Sequence, residues 1–220
     1  MDAMTPKSRA ADVAYERIRK DLVAGRWPSG THLREAEVAA ELGMSRTPVR
    51  EAIRRLSAEA VLHFEPHLGA KVPGWTPRDL EEIFSLRLNL EGLAAELAAQ
   101  NATIAQIAKL DRLAHDMAEI ATQGEAQLGK LAEFNAAFHR AIIESSGNSR
   151  LERLVELVTE LPLVVRTFAH YDARAMRRSV SHHFELVDAI RAKDGDWARA
   201  VMEAHLRAGR EVMLKGLMQD

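Results

Sequence analysis

Three histidines and an asparagine in the second half of this chain have the residue types and spacing to hold a divalent metal ion. Asn135 and His139 are four residues apart, so on a helix they share one face. His183 is followed by Leu186, Val187 and Ile190 at helical spacing, and His205 is flanked by Val201 and Leu206. Both imidazoles therefore face inward. Imidazoles that converge inside a helical bundle can ligate Zn²⁺ or another divalent transition metal. An inward histidine is also commonly a hydrogen-bonded core residue, and spacing alone serves both readings. A second group of side chains lies near the start of the chain. Arg46, Arg50, Arg54 and Arg55 stand against one acid, Glu51, giving +3 over residues 45–55. Guanidinium groups at a helix start suit phosphates and the O6/N7 edge of guanine.

The elements that must position these groups are helical. Ser45 is a good N-cap, and Val49, Ala52, Ile53 and Leu56 fall on one buried face of the arginine-bearing helix. Upstream, Leu33, Val38 and Leu42 read as the buried side of a short helix that Gly43 ends in the left-handed conformation. Two short helices joined by a tight glycine turn form a helix-turn-helix, whose second helix enters the major groove. A longer helix covers Ala10 to Ala24, with Val13, Ile18, Leu22 and Val23 as core candidates. After the arginine helix, residues 61–66 and 67–73 are short apolar runs around a turn, which predicts a small β-hairpin.

Beyond the linker Val72 to Pro77, Thr76 caps the next helix and Pro77 takes its first position. Helical patterns run over 78–99, 103–122, 126–145, 149–170, 173–193 and 196–216, an antiparallel bundle of six helices with a kink at Pro162. The fold class is thus mainly α, a winged helix-turn-helix over 8–73 followed by an all-α domain over 78–216. Among 220 residues there is no cysteine, hence no disulfide and no thiolate metal site. No apolar run is long enough to span a membrane, and Met1 to Arg9 lacks the apolar core of a secretory signal, so a cytoplasmic location is expected. The net charge of −2 is uneven. Residues 1–74 carry 12 Lys+Arg and 10 Asp+Glu, the remainder 18 and 22. A locally basic segment on an acidic chain suits a DNA reader that binds weakly without specific contacts.

The first part resembles the winged helix-turn-helix domain of the GntR family of bacterial transcription regulators. The residues that carry the likeness are "GRWPSG" at 25–30, "LRE" at 33–35, "LGMSRTPVREAIRRL" at 42–56 and "GAKV" at 69–72. Ala60 stands where the family usually has glycine. The resemblance implies that Arg46, Thr47 and Arg50 contact DNA, with Ser45 capping the helix and Arg34 touching backbone. It also implies a wing, with His67, Gly69 and Lys71, that follows the minor groove. The partner would be a near-palindromic double-stranded operator bound by a homodimer, with no membrane involved.

The second part is similar to the FCD ligand-binding domain of the FadR-type branch of that family. "LRLNLEGLAA" at 86–95, "FNAAFHRAI" at 134–142, "SGNSRL" at 146–151, "HFELVDAI" at 183–190 and "GDWARAVMEAHL" at 195–206 carry the likeness. It implies a metal held at Asn135, His139, His183 and His205, with Asn135 standing where metal-binding members have Asp. Zn²⁺ is the first expectation, with Ni²⁺ and Mn²⁺ as alternatives. Such a site leaves positions for a small carboxylate effector, and Arg87 and Arg166 are the candidate guanidinium partners. The expected function is a sequence-specific transcription regulator, a repressor controlled by a small organic acid. No catalytic residue is assigned. The alternatives are a metal-dependent hydrolase or lyase, and a metal that only holds the bundle together.

Overall fold

The computed structural model describes residues 6–23, 26–58, 61–65, 69–123, 128–159 and 161–217. The chain divides into two compact units, Met1–Trp75 and Thr76–Asp220. Residues Ala60 and His67, both singled out by resemblance, lie outside the described residues.

The first unit comprises α1 (Pro6–Val23), β1 (His32–Leu33), α2 (Glu35–Leu42), α3 (Arg46–Ala58), β2 (His63–Glu65) and β3 (Gly69–Lys71). Gly43 ends α2 at φ 64°, and its N–H donates back to Ala39 and Ala40. Val49, Ala52, Ile53 and Leu56 of α3 are buried, as their spacing predicts. Two details differ from the sequence expectations. Val13 is half exposed, because α1 buries the stripe Ala11, Ala14 and Ile18 instead. These alanines let α1 lie close to α3, and a reading weighted toward large side chains passes over them. Leu33 belongs to a strand rather than to the helix after it. It pairs with Ala70, so the expected hairpin is a three-stranded antiparallel sheet of order β1-β3-β2. Gly69 is required where it stands. Its φ is +98°, and a Cβ there would lie 3.2 Å from the Leu33 carbonyl oxygen.

The second unit is helical: α4 (Pro77–Asn101), α5 (Ile104–Ala121), α6 (Leu128–Ser145), α7 (Ser149–Val158), α8 (Leu161–Ala169), α9 (Ala173–Arg191) and α10 (Gly195–Leu217). Thr76 and Asp79 form a capping box with Pro77 at the first position of α4. Where one helix is predicted over 149–170, the structure has two. Thr159 is extended, with φ −99° and ψ 104°. Pro162, two residues into α8, has no N–H to offer a preceding turn, so the chain restarts there rather than bending through. The helix α10 lies against α4, α8 and α9, and α6 lies against α4, α5, α7 and α8.

Two glycines seven residues apart on α10 receive the turn between α8 and α9. A Cβ on Gly209 would meet the Tyr171 hydroxyl at 3.4 Å, and one on Gly216 would meet His170 Cγ at 2.5 Å. Gly216→Ala is therefore expected to destabilise the protein by about 1–3 kcal/mol through overpacking. A thermal melt should register a fall of several degrees. A melt identical to wild type would mean that His170 swings clear at no cost.

Candidate functional site

His139 comes from α6, His183 from α9 and His205 from α10, and all three are buried. One ligand nitrogen of each lies within 4.8 Å of the others. His139 Nε2 and His205 Nε2 are 3.3 Å apart. His183 Nε2 is 3.2 Å from Asn135 Oδ1, one turn before His139 on α6. Phe138 fills the space beside His183, edge to face at 4.7 Å between ring centres.

The outer ring nitrogens explain why the inner ones converge. His139 Nδ1 lies 2.5 Å from Glu91 Oε2, and His183 Nδ1 lies 2.7 Å from the Ser179 carbonyl oxygen. A carboxylate and a carbonyl only accept, so both Nδ1 atoms donate. In a neutral imidazole the remaining Nε2 then carries a lone pair, and here it points into the cluster. Asn135 Oδ1 is also an acceptor, so at 3.2 Å it opposes the lone pair of His183. A cation between the two converts that repulsion into attraction.

The electrostatics agree with this geometry. Burial, reinforced by the neighbouring His139, pushes the His183 imidazole down to about 3. Burial, then His183 and His139, holds His205 well below the ordinary histidine value. Burial alone would raise the Glu91 carboxyl, but the Arg87 guanidinium and His139 outweigh it and bring it down to about 2. Arg87 Nε donates to Glu91 Oε1 at 2.6 Å, and the guanidinium lies over Phe84. The donor set is thus three imidazoles plus an amide oxygen, with His139 and His183 oriented from behind by Glu91 and the Ser179 carbonyl. It fits a borderline divalent metal. A cavity of about 30 Å³ opens beside it, with Arg87, Asn135, His139, His205 and Tyr171 among its walls. That space accommodates an ion or a water molecule.

The arginine helix has a different character. Ser45, directly before α3, is exposed, as are Arg46, Thr47, Arg50 and Arg54. Several neighbouring cations are held by internal acids. Arg50 Nε donates to Glu35 at 2.8 Å, Arg34 to Glu37 at 3.1 Å, and Lys71 to Glu65 at 3.2 Å. His32, on β1, also meets Glu65, at 2.8 Å. Arg55, also exposed, donates to Asp12 on α1 at 2.6 Å and stacks over Tyr15. The acids engaging these arginines are Glu35 and Asp12 rather than Glu51.

The gntR family of bacterial regulatory proteins matches residues 10–72, and the FCD domain matches residues 82–208. The chain belongs to the GntR family, FadR-type branch. A probable D-xylose utilization operon transcriptional repressor of Paenarthrobacter nicotinovorans is 32% identical to this regulator over 217 residues, covering 94% of this chain and 92% of the relative. The gluconate operon transcriptional repressor of Bacillus subtilis is 29% identical over 198 residues, covering 87% and 79%. The solved structure of E. coli McbR/YncC superposes with a TM-score of 0.72 at 25% identity, over 94% of this chain and 98% of that one.

A GntR/FCD protein is a DNA-binding transcription regulator and not an enzyme, so the hydrolase or lyase alternative falls. The geometry agrees. The carboxylate nearest the histidines is Glu91, and both its oxygens are engaged, by Arg87 and His139. Glu91 is also what sequence reasoning missed. It sits within "LRLNLEGLAA", four residues after Arg87, and an i,i+4 acid–base pair in an otherwise apolar stretch was the available signal. The structure brings Arg87 into the histidine cavity. Arg166 lies on α8, but its side chain falls outside the described residues. Among the described residues no helix is long and apolar enough to cross a membrane.

Proposed function

We propose that this regulator is a homodimeric repressor whose hold on a near-palindromic operator is governed by a small carboxylate bound at or near a metal in the helical domain. The observation that carries the reading is the convergence of His139, His183 and His205 nitrogens, with Asn135 Oδ1, beside the buried Arg87. Those four residues would hold the ion, Zn²⁺ before Ni²⁺ or Mn²⁺. A bound divalent ion would supply a Lewis-acid position for a carboxylate oxygen. Arg87, and Arg166 from α8, would pair with the rest of the acid's charge. The relative named for a gluconate operon supports a hydroxy-carboxylate effector.

At the other end, Arg46, Thr47 and Arg50 read the major groove and Ser45 opens their helix. Arg34 meets the phosphate backbone, while His67, Gly69 and Lys71 of the wing follow the minor groove. Effector binding shifts the population between two arrangements of the paired DNA-binding units. The small cavity at the histidines favours one further reading, in which the metal holds the bundle and no acid enters.

Melting curves of the full chain separate the two. Chelator should lower the midpoint, Zn²⁺ should restore it, and gluconate should raise it further only when Zn²⁺ is present. A melt raised by Zn²⁺ but by no carboxylate would assign the metal to structure alone. A melt indifferent to both would remove the metal site.

A further inference from the structure

A second cavity in the helical domain plays no part in the reading above. It measures about 460 Å³ and lies where the α8–α9 turn meets the last turns of α10. Its walls carry Arg174, Arg178 and Lys215, together with His170, Asp172 and Gly216. The two arginines and the lysine are exposed, and among the described residues no acidic side chain pairs with them. Several other cations of this domain are paired. Arg199 meets Glu96 and Glu203, Arg191 meets Asp111 and Asp188, and Lys109 meets Glu144. Asp172 caps α9, its Oδ1 accepting the Ala175 N–H at 2.6 Å, and its carboxylate, held low by that bond and by Arg174, offsets only one of the three positive charges. Arg174 and Arg178 are four apart on α9, an arrangement of like charges that costs stability unless something anionic lies between them.

We propose that this cavity is a second ligand site and that it takes the phosphate monoester of a small polyol. Three cations against the single carboxylate of Asp172 leave an excess of positive charge that suits a dianion better than a monocarboxylate. Guanidinium groups match phosphate oxygens two at a time, and Lys215 adds a point charge. Asp172 retains acceptor capacity for ligand hydroxyls, which a phosphate alone would not use. The volume falls in the range of small-molecule pockets. The site is separate from the histidines, yet the same turn borders both, with Tyr171 on the small cavity and His170 on the large one.

Titration calorimetry on the full chain tests this with D-glucose 6-phosphate as the probe. D-glucose and inorganic phosphate serve as comparison ligands. The ester should bind saturably, phosphate more weakly and glucose not at all. Arg174→Gln and Arg178→Gln should each weaken the ester by about tenfold or more, as expected for a lost charged hydrogen bond. Lys215→Gln should weaken it as well. These side chains are exposed, so the variants should fold, and circular dichroism checks that they do. Adding EDTA should leave the ester's affinity unchanged, which keeps this outcome independent of the metal-site reading. No saturable binding up to about 10 mM, a range where affinity is already marginal, would overturn the proposal. So would equal affinity in the Arg174→Gln/Arg178→Gln double variant, or phosphate binding as tightly as the ester.

Discussion

Arg46→Ala should abolish specific operator binding while leaving metal content and melting unchanged. Arg46 is fully on the exposed side of α3, in the first turn, and the core beneath it is formed by Val49, Ala52, Ile53 and Leu56. On the proposed docking Arg46 makes a bidentate contact to a base, whose loss costs about 1–3 kcal/mol, and the proposed two-fold dimer would lose it twice. Binding to the operator should therefore fall by roughly 30-fold to 10⁴-fold, toward the affinity for unrelated duplex. Fluorescence anisotropy on operator and scrambled DNA at one fixed salt concentration reads the ratio directly. Arg55→Ala provides the contrast. Its partners include Asp12 and Tyr15, so it should lower stability and leave the ratio alone. If Arg46→Ala shifts the operator as well as wild type does, α3 does not read bases through Arg46.

Glu91→Gln should be the most damaging single change in the helical domain. The carboxylate is buried between Arg87 and His139, and removing its charge leaves a buried guanidinium without an anion. Breaking such a pair costs about 3–5 kcal/mol. The variant should also bind metal about 10–100-fold more weakly, because His139 loses the partner that orients it. Arg87→Met/Glu91→Leu should recover much of the stability but none of the orientation, which separates the two effects.

The pH dependence has a definite sign. The Glu91 carboxyl lies at about 2 when folded against an ordinary 4.5, so the unfolded chain takes up its proton first. Its contribution, roughly 3 kcal/mol, is complete above pH 4.5 and is lost as pH falls toward 2. His183, at about 3 against 6.5, is neutral in both states above pH 6.5, and below that the unfolded chain takes up its proton first, so the metal-free fold loses stability progressively toward pH 3. Denaturant melts across pH 7 to 3 should show the His183 decline in wild type, and Glu91→Gln should lack the lower limb. Curves of identical shape would contradict the buried pair.

Much of this arrangement was legible in residue order. The arginine helix, the glycine that ends α2 and the Thr76–Pro77 start of α4 follow from local chemistry that needs no tertiary partner. The inward histidines were legible because apolar residues at helical spacing mark the face they share. Glu91 was not, since a carboxylate in a helix reads as solvated until Arg87 and His139 are seen to meet it. His32–Leu33 is too short for any strand pattern, and only the long-range pairing to β3 makes it one. Between α7 and α8 the sequence alone leaves a bend and a break equally open, because a proline permits either outcome. The extended Thr159 decides it.

The acids that hold Arg34, Arg50 and Lys71 have a consequence for how the protein searches a genome. On the proposed docking, Glu37, Glu35 and Glu65 would act as decoys, each occupying a cation that DNA would otherwise engage. On the proposed docking, any duplex must displace these carboxylates before it gains a contact. Random sequence then exchanges one anion for another with little net benefit, while the operator adds base contacts on top. Discrimination would in this way be built partly into the unbound protein, letting it leave the wrong DNA quickly.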